Sequence, residues 1–191
     1  TADSEPTIPQ VPLLRYNEKM VFSGTQSADF NLITSNTNYT LVGWINTAIT
    51  NQAHLFRGSG SNDTYQIYSG RIWWYMGGDK YSTTYINDNQ TYMIAYQRSG
   101  TTYSIWVNGI QENSWTFTAN TNHETFYLQG IGSHVSSRPY NGLVDEVSAW
   151  NTALSTSEMQ ELFADGVALD ATTHSKADTN LLGYWRNDGI S

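Results

Sequence analysis

Cysteine is absent from the 191 residues, so the chain has no disulfide and no thiolate metal ligand. That leaves the compartment open, because extracellular proteins of bacteria and viruses often lack cysteine. Charge is also scarce: Asp, Glu, Lys and Arg make up 14%, with 9 basic residues scattered against 17 acidic ones. A net charge of −8 with no basic run excludes the electrostatic footprint of a nucleic-acid binder or an anionic-membrane binder. There is no stretch of about 18 apolar residues, so no helical membrane insertion is expected. Three of the four prolines, Pro6, Pro9 and Pro12, fall in the first dozen residues. Residues 1–12 therefore read as an extended N-terminal arm or linker, and residues 13–191 as one domain. The sequence opens at Thr1 with neither Met nor a signal-peptide pattern, as expected of a processed chain or a piece of a larger one.

Aromatic side chains are abundant: 7 Trp, 13 Tyr and 6 Phe within 39% hydrophobic residues, enough for a sizeable core. Asn, Thr and Ser supply most of the polarity, which suits a β protein with uncharged loops. Short apolar or alternating runs mark strands at 19–22, 39–45, 53–57, 64–69, 71–76, 81–86, 92–98, 102–108, 110–118, 126–131, 143–150 and 180–186. Ser69-Gly70, Ser99-Gly100 and Asn108-Gly109 are two-residue hairpin signals. The charge of Arg71 sets the phase of its strand: Ile72, Trp74 and Met76 turn inward, Trp73 and Tyr75 outward. In the preceding strand Tyr65 and Ile67 turn inward, Gln66 and Tyr68 outward. Between residues 92 and 108 both faces are apolar, with Met93, Ala95 and Trp106 opposite Tyr92, Ile94, Tyr103, Ile105 and Val107. Both faces then need cover. The last strand is expected to return beside the first.

Residues 140–166 organise the rest. Asn141-Gly142 reads as a turn, 143–150 as a strand, and Ser155-x-x-Glu158 as the capping box of a helix. Leu154 and Met159 have the spacing of a hydrophobic staple, and Met159, Leu162 and Phe163 form one apolar stripe. Gly166 is placed to end the helix in the left-handed conformation. The helix is expected to pack over Met93, Ala95 and Trp106.

With Gly142-x-x-Asp145-Glu146-Val147 leading through Trp150-Asn151-x-x-Leu154-Ser155 to one helix, this unit resembles the closing motif of the laminin-G-like/pentraxin group of concanavalin A-like jelly-roll domains. Tyr39-Thr-Leu-Val-Gly-Trp-Ile45, Ile105-Trp-Val-Asn-Gly109 and Leu182-Gly-Tyr-Trp-Arg186 fit the same group in order and spacing. The resemblance implies an all-β fold: a jelly-roll β-sandwich of two antiparallel sheets with one short C-terminal amphipathic helix. That fold hosts lectins, hydrolases, lyases and structural modules, so function must come from the site. The resemblance also raises calcium. Ser61-Asn62-Asp63-Thr64-Tyr65 falls where pentraxins place an Asp-Asn pair, but the segment from Gln129 to His134 lacks the carboxylates of the second half of that site. A double-calcium site is not expected. One calcium ion near Asp63 or Asp79 stays open, since Ca²⁺ takes six to eight oxygen ligands.

Catalytic signals are weak. Adjacent carboxyls on a strand point to opposite faces, so Asp145 and Glu146 cannot form the facing pair that glycosidases need. Asp145 is expected to share a side with Val147 in a structural role. The four histidines, His54, His123, His134 and His174, show no zinc spacing and read as loop residues. No Gly-x-Ser-x-Gly elbow occurs.

The binding signal is the outward set Tyr68, Arg71, Trp73 and Tyr75, with Asn62, Tyr81, His134 and Arg138 nearby in loops. Sugars stack C–H faces on aromatic rings and need planar polar partners for their hydroxyls. The expectation is a non-catalytic extracellular, cell-surface or virion-borne recognition module for a glycan or glycoprotein surface. A structural or assembly subunit using the same face for neighbouring protein subunits is the alternative. A glycan hydrolase or lyase fits least well.

Overall fold

The computed structural model describes residues 20–24, 27–34, 37–57, 65–118, 126–132 and 138–186. The expected arm at 1–12 lies outside them. The strands are β1 (Met20–Gly24), β2 (Ser27–Thr34), β3 (Asn38–Asn46), β4 (Ala53–Arg57), β5 (Tyr65–Tyr68), β6 (Arg71–Tyr75) and β7 (Asp79–Tyr81). They continue as β8 (Thr91–Ser99), β9 (Thr102–Val107), β10 (Ile110–Thr116), β11 (Phe126–Gly132), β12 (Tyr140–Trp150) and β13 (Leu181–Trp185). Helix α1 (Thr156–Phe163) and the one-turn α2 (Ala177–Asn180) complete the regular structure. Two antiparallel sheets face each other as a jelly-roll sandwich. One has the order β1-β12-β3-β8-β9-β10 with β13 also on β12, and the other β2-β11-β4-β5-β6-β7.

Alternation fills the space between the sheets. Leu41, Ile45, Ile67, Ile72, Ile94, Ile105 and Val147 meet there, each at most 1% exposed. Trp74 is the hub. Its ring lies 5.3 Å from Tyr65, 5.4 Å from Tyr96 and 5.3 Å from Tyr103, the last two edge-on. The Tyr96 hydroxyl donates to the Gln66 carbonyl at 2.8 Å, and burial holds its pKa well above the usual value. Ile72, Trp74 and Met76 are buried as their phase predicts, while Tyr68 and Tyr75 are exposed.

The apolar outer face of β8 and β9 is covered by α1. Met93, Ala95 and Trp106 share a buried cluster with Val42, Trp44, Leu154, Met159 and Leu162, and Phe163 stacks on Trp44 at 5.8 Å. The expected capping box forms: Glu158 N–H donates to Ser155 Oγ, and Ser155 N–H to Glu158 Oε2 at 2.7 Å. The segment leading into the helix is clamped from below. Gln97 Nε2 donates to the Leu154 carbonyl at 2.7 Å, and Thr40 Oγ1 to the Thr152 carbonyl at 2.8 Å. The Asn108-Gly109 turn, with φ of 49° and 74°, is the expected type I′. A Cβ on Gly109 would fall 3.3 Å from Phe163, so the turn also admits the helix above it.

Several local expectations are corrected. The helix ends at Phe163: Ala164 and Asp165 already adopt left-handed φ of 44° and 54°, ahead of Gly166. The β8–β9 hairpin turns on Gly100-Thr101, because Ser99 pairs with Thr102. Asn141-Gly142 is no turn but part of β12, paired with Ser23 and Phe22 of β1. β2 has no counterpart in the pattern reading. The run at 81–86 is strand only as far as Tyr81, and the chain then loops to β8. β13 does not lie beside β1; the two line up along one edge of β12, where Trp185 faces Val147 and Met20 faces Val144.

Candidate functional site

Two-residue alternation in β5 and β6 places Tyr68, Arg71, Trp73 and Tyr75 on the side of the six-stranded sheet turned away from the core. Pairing of Trp73 with Tyr81 and of Tyr75 with Asp79 brings β7 into the same surface. The rings are contiguous. Trp73 lies 5.6 Å from Tyr68, 6.1 Å from Tyr75 and 6.5 Å from Tyr81, and Tyr68 lies 6.4 Å from Tyr81. Tyr68 is 40% and Tyr75 49% exposed, so the strip faces water. The indole Nε1 of Trp73 donates to Asp79 Oδ1 at 3.0 Å, fixing the ring. Burial, the Asp79 carboxylate and Tyr68 push the Tyr81 hydroxyl above its usual pKa, with Arg71 pulling the other way.

Tyr85 belongs to this surface and was missed, since its segment reads as strand. It is 60% exposed, on the loop between β7 and β8. The Arg71 guanidinium sits 4.4 Å from the Tyr81 ring centre and 5.3 Å from that of Tyr85, a cation–π pair of contacts. The loop is held by Glu112, whose carboxylate accepts from Thr83 N–H at 2.8 Å and Thr84 N–H at 3.0 Å and bonds the Thr84 hydroxyl. Ile86 N–H adds a bond to the Gly70 carbonyl at 2.8 Å. A glutamate on β10 so far along the chain gives no sequence signal for a loop on β6.

The surface continues across β5 and β4. Gln66 pairs with Trp73 on one side and His54 on the other. Gln66 was expected outward, but it is buried there under Gln52, whose Nε2 donates to Gln66 Oε1 at 2.6 Å. Arg138 comes in at the end of this row: Nη1 lies 3.3 Å from His54 Nε2, and its carbonyl accepts from His54 N–H at 3.1 Å. At the adjoining end of the sandwich a groove of about 350 Å³ opens between Ala48, Asn51, Gln52, Pro139 and Asn141. It adjoins one of about 390 Å³ bordered by Asn46, Thr47, Asn89 and Asn141. These amides are invisible to motif reading because Asn is common everywhere in the chain. Thus Tyr68, Arg71, Trp73, Tyr75, Asp79 and Tyr81 come together as expected, with Arg138 at the far end of the row. Asn62, Asp63 and His134 lie outside the described residues.

Asp79 alone does not fit a resident calcium ion. One of its oxygens accepts a hydrogen bond from the Trp73 indole N–H, and no group of three or more His, Asp or Glu gathers among the described residues. Asp145 and Glu146 stand at a bulge in β12. Asp145 pairs with Trp44 and Ser148 with Val42, so Asp145 turns toward the helix side and Val147 toward the core, contrary to expectation. Glu146 takes φ 48° and its carboxylate accepts from the Tyr184 hydroxyl. Burial pushes its pKa up to about 7. Both carboxyls are buried, which closes them to a polysaccharide. Of the histidines, His54 belongs to a strand and His174 is buried beneath α1, its ring edge-on to Trp150 at 4.8 Å. His123 and His134 lie outside the described residues.

The fold and this surface define a jelly-roll sandwich with an aromatic outer face and amide-lined grooves at one end. The laminin G 3 family profile, of the concanavalin A-like lectin/glucanases superfamily, matches residues 22–160, well over half of the chain. The chain belongs to that family. No curated protein matches the sequence. Solved structures resemble it in fold. A candidate carbohydrate-binding protein from Bacteroides ovatus superposes with a TM-score of 0.70 at 17% identity, over 92% of this chain and 53% of that one. The present chain thus spans about half the length of that relative. A heptameric SAP-like pentraxin from Limulus polyphemus gives 0.57 at 19% identity, covering 76% and 81% of the two chains. Domain 4 of a GH43 extracellular arabinanase from Geobacillus stearothermophilus, solved with arabinotriose, gives 0.57 at 17% identity, covering 74% of each.

Proposed function

We propose that this chain is a non-catalytic recognition module that binds glycan on the outer face of its six-stranded sheet. The observation that carries the reading is the contiguous strip of Tyr68, Trp73, Tyr75 and Tyr81, exposed in part, with Gln52 seated on Gln66 in the row of Trp73. Rings of this kind offer flat apolar surface to sugar C–H faces, while Gln52, Asn51 and Asn141 offer planar donors and acceptors to hydroxyls. The carbohydrate names among the structural neighbours support the same reading, as does the arabinotriose in one of them. A lectin-like role outside the cell, on a cell surface or on a virion, goes with it.

Isothermal titration against a panel of oligosaccharides tests this, with the Trp73→Ala/Tyr75→Ala double variant as control. Binding by the native chain and its loss in the variant is the expected result. No binding across the panel, or equal binding by both, rejects it. Repeating the titration with EDTA reports whether calcium contributes through Asp79 and residues around Asp63.

The assembly-subunit alternative rests on the same exposed rings, since aromatic patches also mark protein interfaces. Sedimentation of the native chain and of the double variant separates the two. An oligomer that dissociates on loss of the rings selects the alternative.

A further inference from the structure

The proposed strip carries a charge anomaly. In a chain with a net charge of −8, two arginines on one face have no acidic partner among the described residues. Arg71 is half-buried between the rings of Tyr81 and Tyr85. Among the described residues its one hydrogen bond is long, 3.5 Å from Nη1 to the Ser82 carbonyl, and its buried Nε meets no partner. Arg138 touches His54 and carries no carboxylate partner among the described residues. Arg186, by contrast, is paired with Asp170 at 2.8 Å. On the outer face the described carboxylate is Asp79, which sits at the end remote from both arginines and is engaged by Trp73. A guanidinium with most of its five donors unused, wedged between rings that restrict it, is pre-organised for an anion. It matches the two oxygens of a carboxylate or sulfate.

The sheet sets the spacing. Arg138 lies against His54 on β4, two strands from β6, and Arg71 lies two residues along β6 from the row of His54, Gln66 and Trp73. By strand geometry His54 and Arg71 are attached about 12 Å apart, and Arg138, bonded to the far side of β4 one strand spacing further out, is about 16 Å from Arg71. Tyr68, Gln52 and the Trp73 ring occupy the interval. That distance calls for a short oligosaccharide and not one sugar, with acidic groups toward its two ends and apolar C–H faces between.

Resting on the glycan reading above, we propose that the ligand class is an acidic oligosaccharide whose carboxylate or sulfate groups are met by Arg71 and Arg138. Neutral sugars then bind less well on the same rings.

Calorimetric titration of the full chain with a hexagalacturonate, a sulfated heparin hexasaccharide and neutral cellohexaose tests the proposal and separates the two acid types. At least one acidic ligand is expected to bind tighter than cellohexaose and to weaken between about 50 and about 500 mM NaCl. Arg71→Gln should lower acidic affinity about tenfold or more, and by a larger factor than it lowers cellohexaose affinity, and Arg71→Lys should recover part of the acidic affinity. A thermal unfolding curve for each variant separates lost binding from lost fold. Arg138→Gln supplies a second variant clear of the Tyr81–Tyr85 packing. Equal or stronger binding of cellohexaose overturns the acidic class while leaving the glycan reading standing. So does acidic binding indifferent to both arginine substitutions. Silence from all three ligands removes this inference; the wider panel described above then decides the glycan reading.

Discussion

The two outer faces of the sandwich are built from the same alternation and end in opposite states. On the seven-stranded sheet the outward residues are Val42, Met93, Ala95 and Trp106, and α1 lies over them with Met159 and Leu162. On the six-stranded sheet they are Tyr68, Trp73, Tyr75 and Tyr81, which no described element covers. Apolar surface of that extent cannot stay wet, because each fully buried side chain is worth about 2 kcal/mol. The three tyrosines tolerate a wet face, since each carries a hydroxyl that water can satisfy, and the Trp73 indole is satisfied by Asp79, whereas Trp106 on the covered face has no partner for its Nε1 among the described residues. Side-chain chemistry, more than pattern, decides which face becomes structure and which remains available for a partner.

Substitutions that respect or ignore this asymmetry sharpen it. The largest effect on stability is expected from Met159→Ala, which opens a cavity under α1. A loss of about 3 kcal/mol should appear in urea denaturation, with glycan titration of the folded variant unchanged. Next comes Glu146, at the bulge of the covered sheet. Its folded pKa of about 7 lies above the ordinary carboxylate value. The folded state therefore keeps a proton that the unfolded chain gives up earlier. Stability from this group is undiminished below the ordinary value, falls as pH rises from about 4.5 to about 7, and is level above that. A shift of this size corresponds to about 3 kcal/mol, and Glu146→Gln should flatten the pH dependence measured by thermal unfolding. Ser155→Ala removes the helix cap and should lower stability by about 1 kcal/mol. The Trp73→Ala/Tyr75→Ala pair should change stability least, under about 1 kcal/mol by the same denaturation, because both side chains remain partly in water. A large loss of stability in that pair would mean the strip is covered.

Sequence reading reached the helix and its landing place because their signals are local. The cap, the stripe and the doubly apolar strands each lie within a few turns of chain. It reached the phase of β5 and β6 for the same reason: Arg71 can face only one way. It failed at Gln66, where a polar residue on the outer face is buried by Gln52 fourteen residues earlier. It failed again at Asp145, where a bulge resets alternation in a strand that looks continuous. Tyr85 escaped because the Glu112 carboxylate that holds its loop is a neighbour only after folding.

By itself, then, the order of residues determined the strand-rich character, the helix at 156–163 and the outward aromatic set, which follow from periodicity and capping over short distances, while the jelly-roll class came from the resemblance of the closing motif to the laminin-G-like group. Tertiary structure alone decided that β1 and β13 share one edge of β12, that Arg138 joins the row ending in Trp73, and that amides from separate loops border one end of the sandwich. Those are matters of which strands become neighbours. Pairing between segments far apart in the chain is set by the total packing of the core, which no local stretch encodes.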